Sequence, residues 1–175
     1  QPGFQGLSRL AALREYRGDL AGALEAMSQA RSDAARTLPK ATLAWTEVRV
    51  GSLQLARCDA PKAREAYDRA LALMPAYFFA EEHLAEWHAA QGRWKEAEKL
   101  FRQLLKSHSE PQYRIGLAEA LRQQRNPGES RQETEKAIAD LRQSTRDGAQ
   151  DSFRPLALLL LERKETAAEG LLWAG

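Results

Sequence analysis

Three histidines, one cysteine and a run of glutamates are the side chains in this sequence with chemistry to offer. His83, His88 and His108 are the nitrogen donors that a zinc site would use. His83 and His88 do not stand three or four apart, the spacing that shares a helix face, and His108 falls in a later segment. No cysteine or carboxylate sits beside them at ligand spacing, so no metal is expected. A thiol reacts as its thiolate, and the neighbours of Cys58, Arg57 and Asp59, offset each other. Cys58 reads as an inert turn thiol. Glu81, Glu82 and Glu86 make an acidic patch of the kind that is ordinary on a solvated helix face. There is no Gly-rich phosphate loop and no strand–turn–helix nucleophile motif. Nucleophile, base and orienting group cannot be assembled from these residues, so neither enzyme activity nor a cofactor is expected.

The elements that carry these residues announce themselves by repetition. "RCDAPKAREAYDRALALMP" is echoed by "QGRWKEAEKLFRQLLKSHS", with Ala63 and Ala97 in the same place (97 − 63 = 34) and Tyr67 and Phe101 likewise. Gly51 and Ala85 correspond upstream. A period of this size marks one supersecondary unit stacked repeatedly, and stacked units build a binding surface. Composition agrees. The chain is 175 residues long, 43% hydrophobic and 29% charged, enough for one domain or one array. It is rich in Ala, Leu, Glu, Arg and Gln, which favour helix, and poor in Val, Ile and Thr, which favour sheet. A net charge of +2, with basic and acidic residues interleaved, argues against nucleic acid. The longest apolar run, Leu156 to Leu161, is far short of the roughly 20 residues of a spanning helix, so no membrane insertion is expected. The chain does not begin with Met, which leaves room for a removed leader or upstream domain, and its compartment is not legible.

The pattern reads as helix, short turn, helix throughout. Gly18-Asp19 breaks the first pair, with Asp19 as N-cap. The stripe Leu20, Ala23, Leu24, Met27 and Ala30 then runs into an extended helix stopped before Pro39. A second unit begins near Ala44, where Trp45, Val48 and Leu55 share a stripe. Pro61 falls in the first turn of the next helix, where proline is tolerated. A third unit runs from about Phe78, and a fourth is marked by Asn126-Pro127. Ser130 takes the small slot of this unit and Thr134 its aromatic slot. The units are placed at about 4–37, 44–77, 78–111 and 111–144, within a single array over 1–175. A truncated terminal pair, 152–174, carries helices near 153–163 and 165–173. Small residues at Ala11, Gly51, Ala85 and Ala118, facing Ala23, Ala63, Ala97 and Ser130, let paired helices approach to about 8–10 Å.

On these residues the chain resembles the tetratricopeptide repeat family. Val50-Gly51 and Leu84-Ala85 match the apolar-small step of the family's first helix. Gly18 and Gly92 match its turn, where Cys58 departs, and Ala63, Tyr67, Ala70 and Pro75 match its second helix. The stretch "SEPQYRIGLAEALRQQRNPGESRQ" is similar to the closing repeats of bacterial multi-repeat proteins. The resemblance implies an all-α fold, a right-handed superhelical solenoid of antiparallel helix pairs with about four units and a terminal pair. It also implies a concave groove lined by the first helix of each unit. Arg9, Glu15, Trp45, Arg49, Ser52, Phe79, Glu82, His83, Glu86 and Glu119 are the residues expected to face a partner there. Ser8, Ala12, Gln112 and Ile115 join them on the same helices. Arg9 and Arg49 would hold an acidic group, with Trp45 or Phe79 as apolar anchors. The bland alternative is that both aromatics pack between helices. The Lys/Asn clamp with which some members hold a C-terminal carboxylate is absent, its slots being Ser8, Ala12, Arg49 and Phe79. A scaffold for a protein or peptide partner is the leading reading. The alternatives are self-association through the terminal helices, with Leu171, Leu172 and Trp173, and a regulatory module of a larger enzyme.

Overall fold

The computed structural model describes residues 3–161, 166 and 171. Among the described residues there are nine α-helices, one 3-10 helix and no strand. The helices are α1 (Phe4–Tyr16), α2 (Leu20–Thr37), α3 (Lys40–Ala56), α4 (Ala60–Leu73), α5 (Phe78–Ala90), α6 (Trp94–Ser107), α7 (Pro111–Gln123), α8 (Pro127–Arg146) and α9 (Phe153–Leu161), with the 3-10 turn at Gln150–Ser152 before α9. The chain forms two compact units, Gln1–Trp87 and His88–Gly175.

One turn design closes each hairpin. Gly18, Cys58, Gly92 and Arg125 adopt left-handed backbone, with φ of 78°, 62°, 69° and 60°. In each case the next amide reaches back to close the helix end: Asp19 N–H to Arg14, Asp59 N–H to Gln54, Arg93 N–H to His88 and Asn126 N–H to Leu121, at 2.8–3.0 Å. This is the Schellman arrangement, which satisfies orphan carbonyls at a helix C-terminus. The same next residue then caps the following helix. Asp19 accepts from Gly22 N–H, Asp59 from Lys62 N–H and Asn126 from Glu129 N–H. Arg93 has no side-chain acceptor to offer and caps nothing.

In the first unit the core joins Leu7 and Ala11 of α1 and Ala23, Met27 and Ala30 of α2 to Val50 and Leu53 of α3. Close approach explains Gly51. A β-carbon there would lie 2.3 Å from Cε1 of Tyr67, whose ring is fully buried. In the second unit Gly116 plays this part against Phe101, again at 2.3 Å. Ser130 fills the small slot of α8 and is buried, and its hydroxyl donates to the Ala118 carbonyl of α7 at 2.8 Å. Thr134 is half-buried and donates back to the Ser130 carbonyl. Ile138 and Leu141 of α8 pack with Leu156 and Leu160 of α9.

Two local expectations change. Helix α3 starts at Lys40, ahead of Ala44, because Pro39 ends the α2–α3 connection and serves directly as N-cap. Its buried stripe runs through Ala44, Glu47, Val48 and Gly51, while Trp45 stays 36% exposed. The second terminal helix, near 165–173, and the side chains of Leu172 and Trp173 lie outside the described residues. Leu171 is exposed. No described helix is long and apolar enough to cross a membrane.

Candidate functional surface on the first helices

Counted back from their turns, Arg9, Arg49 and His83 hold one position on α1, α3 and α5. Ala12, Ser52 and Glu86 hold another, and Trp45 and Phe79 a third. These residues all belong to the first unit. Arg49 is ion-paired with Glu15 across α1 and α3, each side chain about one-third exposed. His83 Nδ1 lies 3.1 Å from Glu86 Oε2 on the same helix. The ring of His83 stacks on Tyr67 with centroids 5.6 Å apart and planes 17° from parallel. Tyr67 of α4 is therefore sandwiched between the Gly51 backbone and the His83 ring, which ties α3 to α5.

The Tyr67 hydroxyl is the one polar atom of this cluster with no partner. Burial pushes its pKa up, and Glu86 adds to that; Ser52 and Arg49 act the other way. Ser52 is thus close to Tyr67, yet its hydroxyl is turned onto the Val48 carbonyl at 3.1 Å, and the Tyr67–Ser52 hydrogen bond is not formed.

The aromatics are displayed rather than buried. Trp45 meets Phe4 edge-on at 6.1 Å, leaving part of its indole in solvent. Phe79 is 41% exposed and rests on Tyr77 and Phe78, with centroids at 5.6 and 4.0 Å. Arg9 is exposed and forms no ion pair with a described residue, and Glu82 is half-buried. Glu119 lies in the second unit, gripped by Arg122 at 2.7 and 2.8 Å and by Gln123 at 2.7 Å. The Arg122 bonds hold its carboxyl below the usual range. In the same unit Gln112 and Ile115 line a pocket of about 270 Å³ with Ser144 and Asp151.

Sequence reading missed two buried charges, Glu47 and Glu133. Glu47, 5% exposed, accepts from Arg69 Nε of α4 at 2.9 Å and lies 3.7 Å from Arg31 of α2. Its place in the stripe with Ala44, Val48 and Gly51 was the available signal, since a carboxylate at a core position requires a partner. Cys58 is exposed in its turn. Among the described residues no group of three His, Cys, Asp or Glu is arranged to hold a metal ion. Glu15 and Glu86 are each paired, so this surface carries charges of both signs beside two partly exposed rings.

No family model matches the sequence, nor does any curated protein. Solved structures do. MamA residues 41 to the end from Desulfovibrio magneticus RS-1 superimposes with a TM-score of 0.66 at 13% identity, covering 98% of this chain and 90% of that one. The nearly identical TPR-like repeats of a Podosopora anserina kinesin light chain give 0.69 at 18% identity, covering 98% and 91%. The apo form of RapI gives 0.72 at 12%, covering 97% and 67%. With its paired helices, repeated turns and absence of strand among the described residues, this chain has the tetratricopeptide-type helical-repeat fold.

Proposed function

We propose that the chain is a non-catalytic scaffold that binds a peptide or helix of a partner protein along the first helices of its units, centred on Arg49 and His83. The observation that carries this reading is the coincidence of three features on α3 and α5. The rings of Trp45 and Phe79 are partly exposed at one register position. Arg49 and His83 occupy another, each already oriented by a carboxylate. Beneath them lies a buried hydroxyl without a partner. Preoriented charges and rigid rings lower the ordering cost of binding, and Arg and aromatic residues dominate binding hot spots. An extended or helical segment carrying acidic and apolar side chains fits such a surface.

The test is selection of peptides from a displayed library against the intact protein, followed by anisotropy titration. The double change Arg49→Glu with Glu86→Arg is expected to weaken the selected peptides by at least about tenfold, the loss of one or two charge-assisted contacts. Selected peptides that all keep their affinity for this variant would refute the reading.

A further inference from the structure

The second unit holds a cavity of about 270 Å³ where the start of α7, the last turn of α8 and the 3-10 turn before α9 meet. Ile115, Leu141 and Pro155 give it an apolar wall. Its polar lining is one-sided. Glu110 and Asp151 are exposed residues at its rim, and neither carboxylate bonds a described residue. Glu110 is the N-cap of α7, yet its side chain makes no capping bond. Ser144 donates its hydrogen to the Asp140 carbonyl at 3.1 Å, so it offers the cavity oxygen lone pairs only. Ser152 also lines the cavity and is 8% exposed, and its hydroxyl has no hydrogen-bond partner among the described residues. A buried hydroxyl left unbonded costs free energy, which a ligand that reaches it recovers. No described Lys, Arg or His lines the cavity.

Backbone dipoles oppose this bias only in part. A helix start carries about half a positive charge, and α7 and α9 both begin here. The last turn of α8 contributes about half a negative charge. Two whole carboxylate charges outweigh that balance, so the cavity favours a cation. Size selects further. Pockets for drug-sized ligands start at about 300 Å³, so this one suits a single side chain or its equivalent rather than a large cofactor. A bare metal ion would leave the apolar wall unused, and among the described residues no three metal-ligating side chains gather to hold one. An ammonium brings three donors and no acceptor, which matches the lone pairs of the lining. A methylene stem behind it fits the apolar wall, as lysine stems do on other protein surfaces.

We propose that this cavity binds an aliphatic ammonium, with its stem against Ile115 and Leu141 and its charge among Glu110, Asp151 and Ser152. The site rests on nothing in the groove around Arg49. The probe is butylammonium chloride, titrated into the intact isotope-labelled protein at constant ionic strength and followed by amide shifts. Saturating shifts are expected at residues 110–115 and 149–155, with an affinity at least about tenfold above that of butanol, the neutral isostere. Glu110→Gln and Asp151→Asn, both at exposed positions and checked for an unchanged melting curve, should each weaken binding about threefold and together about tenfold. Ser152→Ala removes the unbonded hydroxyl, so it should weaken binding about threefold without lowering the melting midpoint. Asp147→Asn, at an exposed carboxylate outside the lining, should change nothing. Two sources carry this chemistry. A capped Gly-Gly-Lys-Gly-Gly peptide that binds as well as butylammonium, while its norleucine analogue does not, assigns the site to a lysine of a partner; binding of butylammonium alone assigns it to a free amine. Butanol binding as tightly as butylammonium, saturation of the same amides by butyrate or inorganic phosphate, or an affinity indifferent to the double acid change would overturn the proposal. Arg49→Glu with Glu86→Arg leaves this binding intact, so failure here and failure of the groove reading are told apart.

Discussion

The Tyr67 side chain acts as a spacer between α3 and α5. Its ring fixes the distance between α3 and α5 by lying between Gly51 and His83, and its hydroxyl ends beside Ser52 without a bond. Gly51→Ala would place a methyl group 2.3 Å from a ring that has no free volume to retreat into. Overpacking of this kind costs about 1–3 kcal/mol, so the midpoint of chemical denaturation should fall by that equivalent while helicity is kept. Tyr67→Phe in the same background isolates the hydroxyl: removing an unpartnered buried donor should be neutral or stabilising. The sequence made the packing role of Tyr67 readable, because Gly51, Ala63 and Tyr67 follow a repeated pattern. It did not make the hydroxyl readable, because no spacing rule says which side chain stands beside the end of a buried ring. The partners of Glu47 were similarly hidden: Arg31 and Arg69 come from two other helices and share no spacing rule with it.

At the scale of the element, the turn governs. Four hairpins use the same left-handed residue and the same closing bond, and two of them do so without glycine. An L-residue held in left-handed backbone costs roughly 1–2 kcal/mol, and glycine gives part of this back as flexibility of the unfolded chain. Cys58→Gly is therefore expected to stabilise the protein by about 0.5–1 kcal/mol, read as a rise in thermal midpoint. A fall would mean that the Cys58 side chain makes a contact worth more than the backbone strain. The helix boundaries were largely legible because the stop and start signals are chemical: Gly18-Asp19, Gly92 and Asn126-Pro127 each end one helix and open the next. The start of α3 was not, because Pro39 acts as a cap through backbone geometry, with no side-chain bond to betray it.

For the molecule as a whole, charge pairing sets how it responds to acid. Arg102 holds the Glu98 carboxyl below its usual range. At Glu133 burial pushes upward, but Lys136 and Arg114 outweigh it and the net displacement is downward. Carboxyls with a lowered folded pKa contribute stability that is complete above their unfolded value, 4.5 for glutamate, and is lost as pH falls through the folded value. Denaturation midpoints should thus be flat from neutrality to about pH 5 and decline below it. Glu133→Gln should lower stability at pH 7 by about 1–3 kcal/mol and make the decline shallower. A midpoint as steep in acid as that of the wild type would show that other groups dominate. The exposed thiol of Cys58 has a practical bearing on all measurements of size. It is the sole cysteine in the chain. Two molecules can therefore be joined by one accidental disulfide and no more, so air oxidation counterfeits a dimer but never a chain of copies. A dimer that vanishes with reductant is chemistry at that turn, and one that persists is recognition.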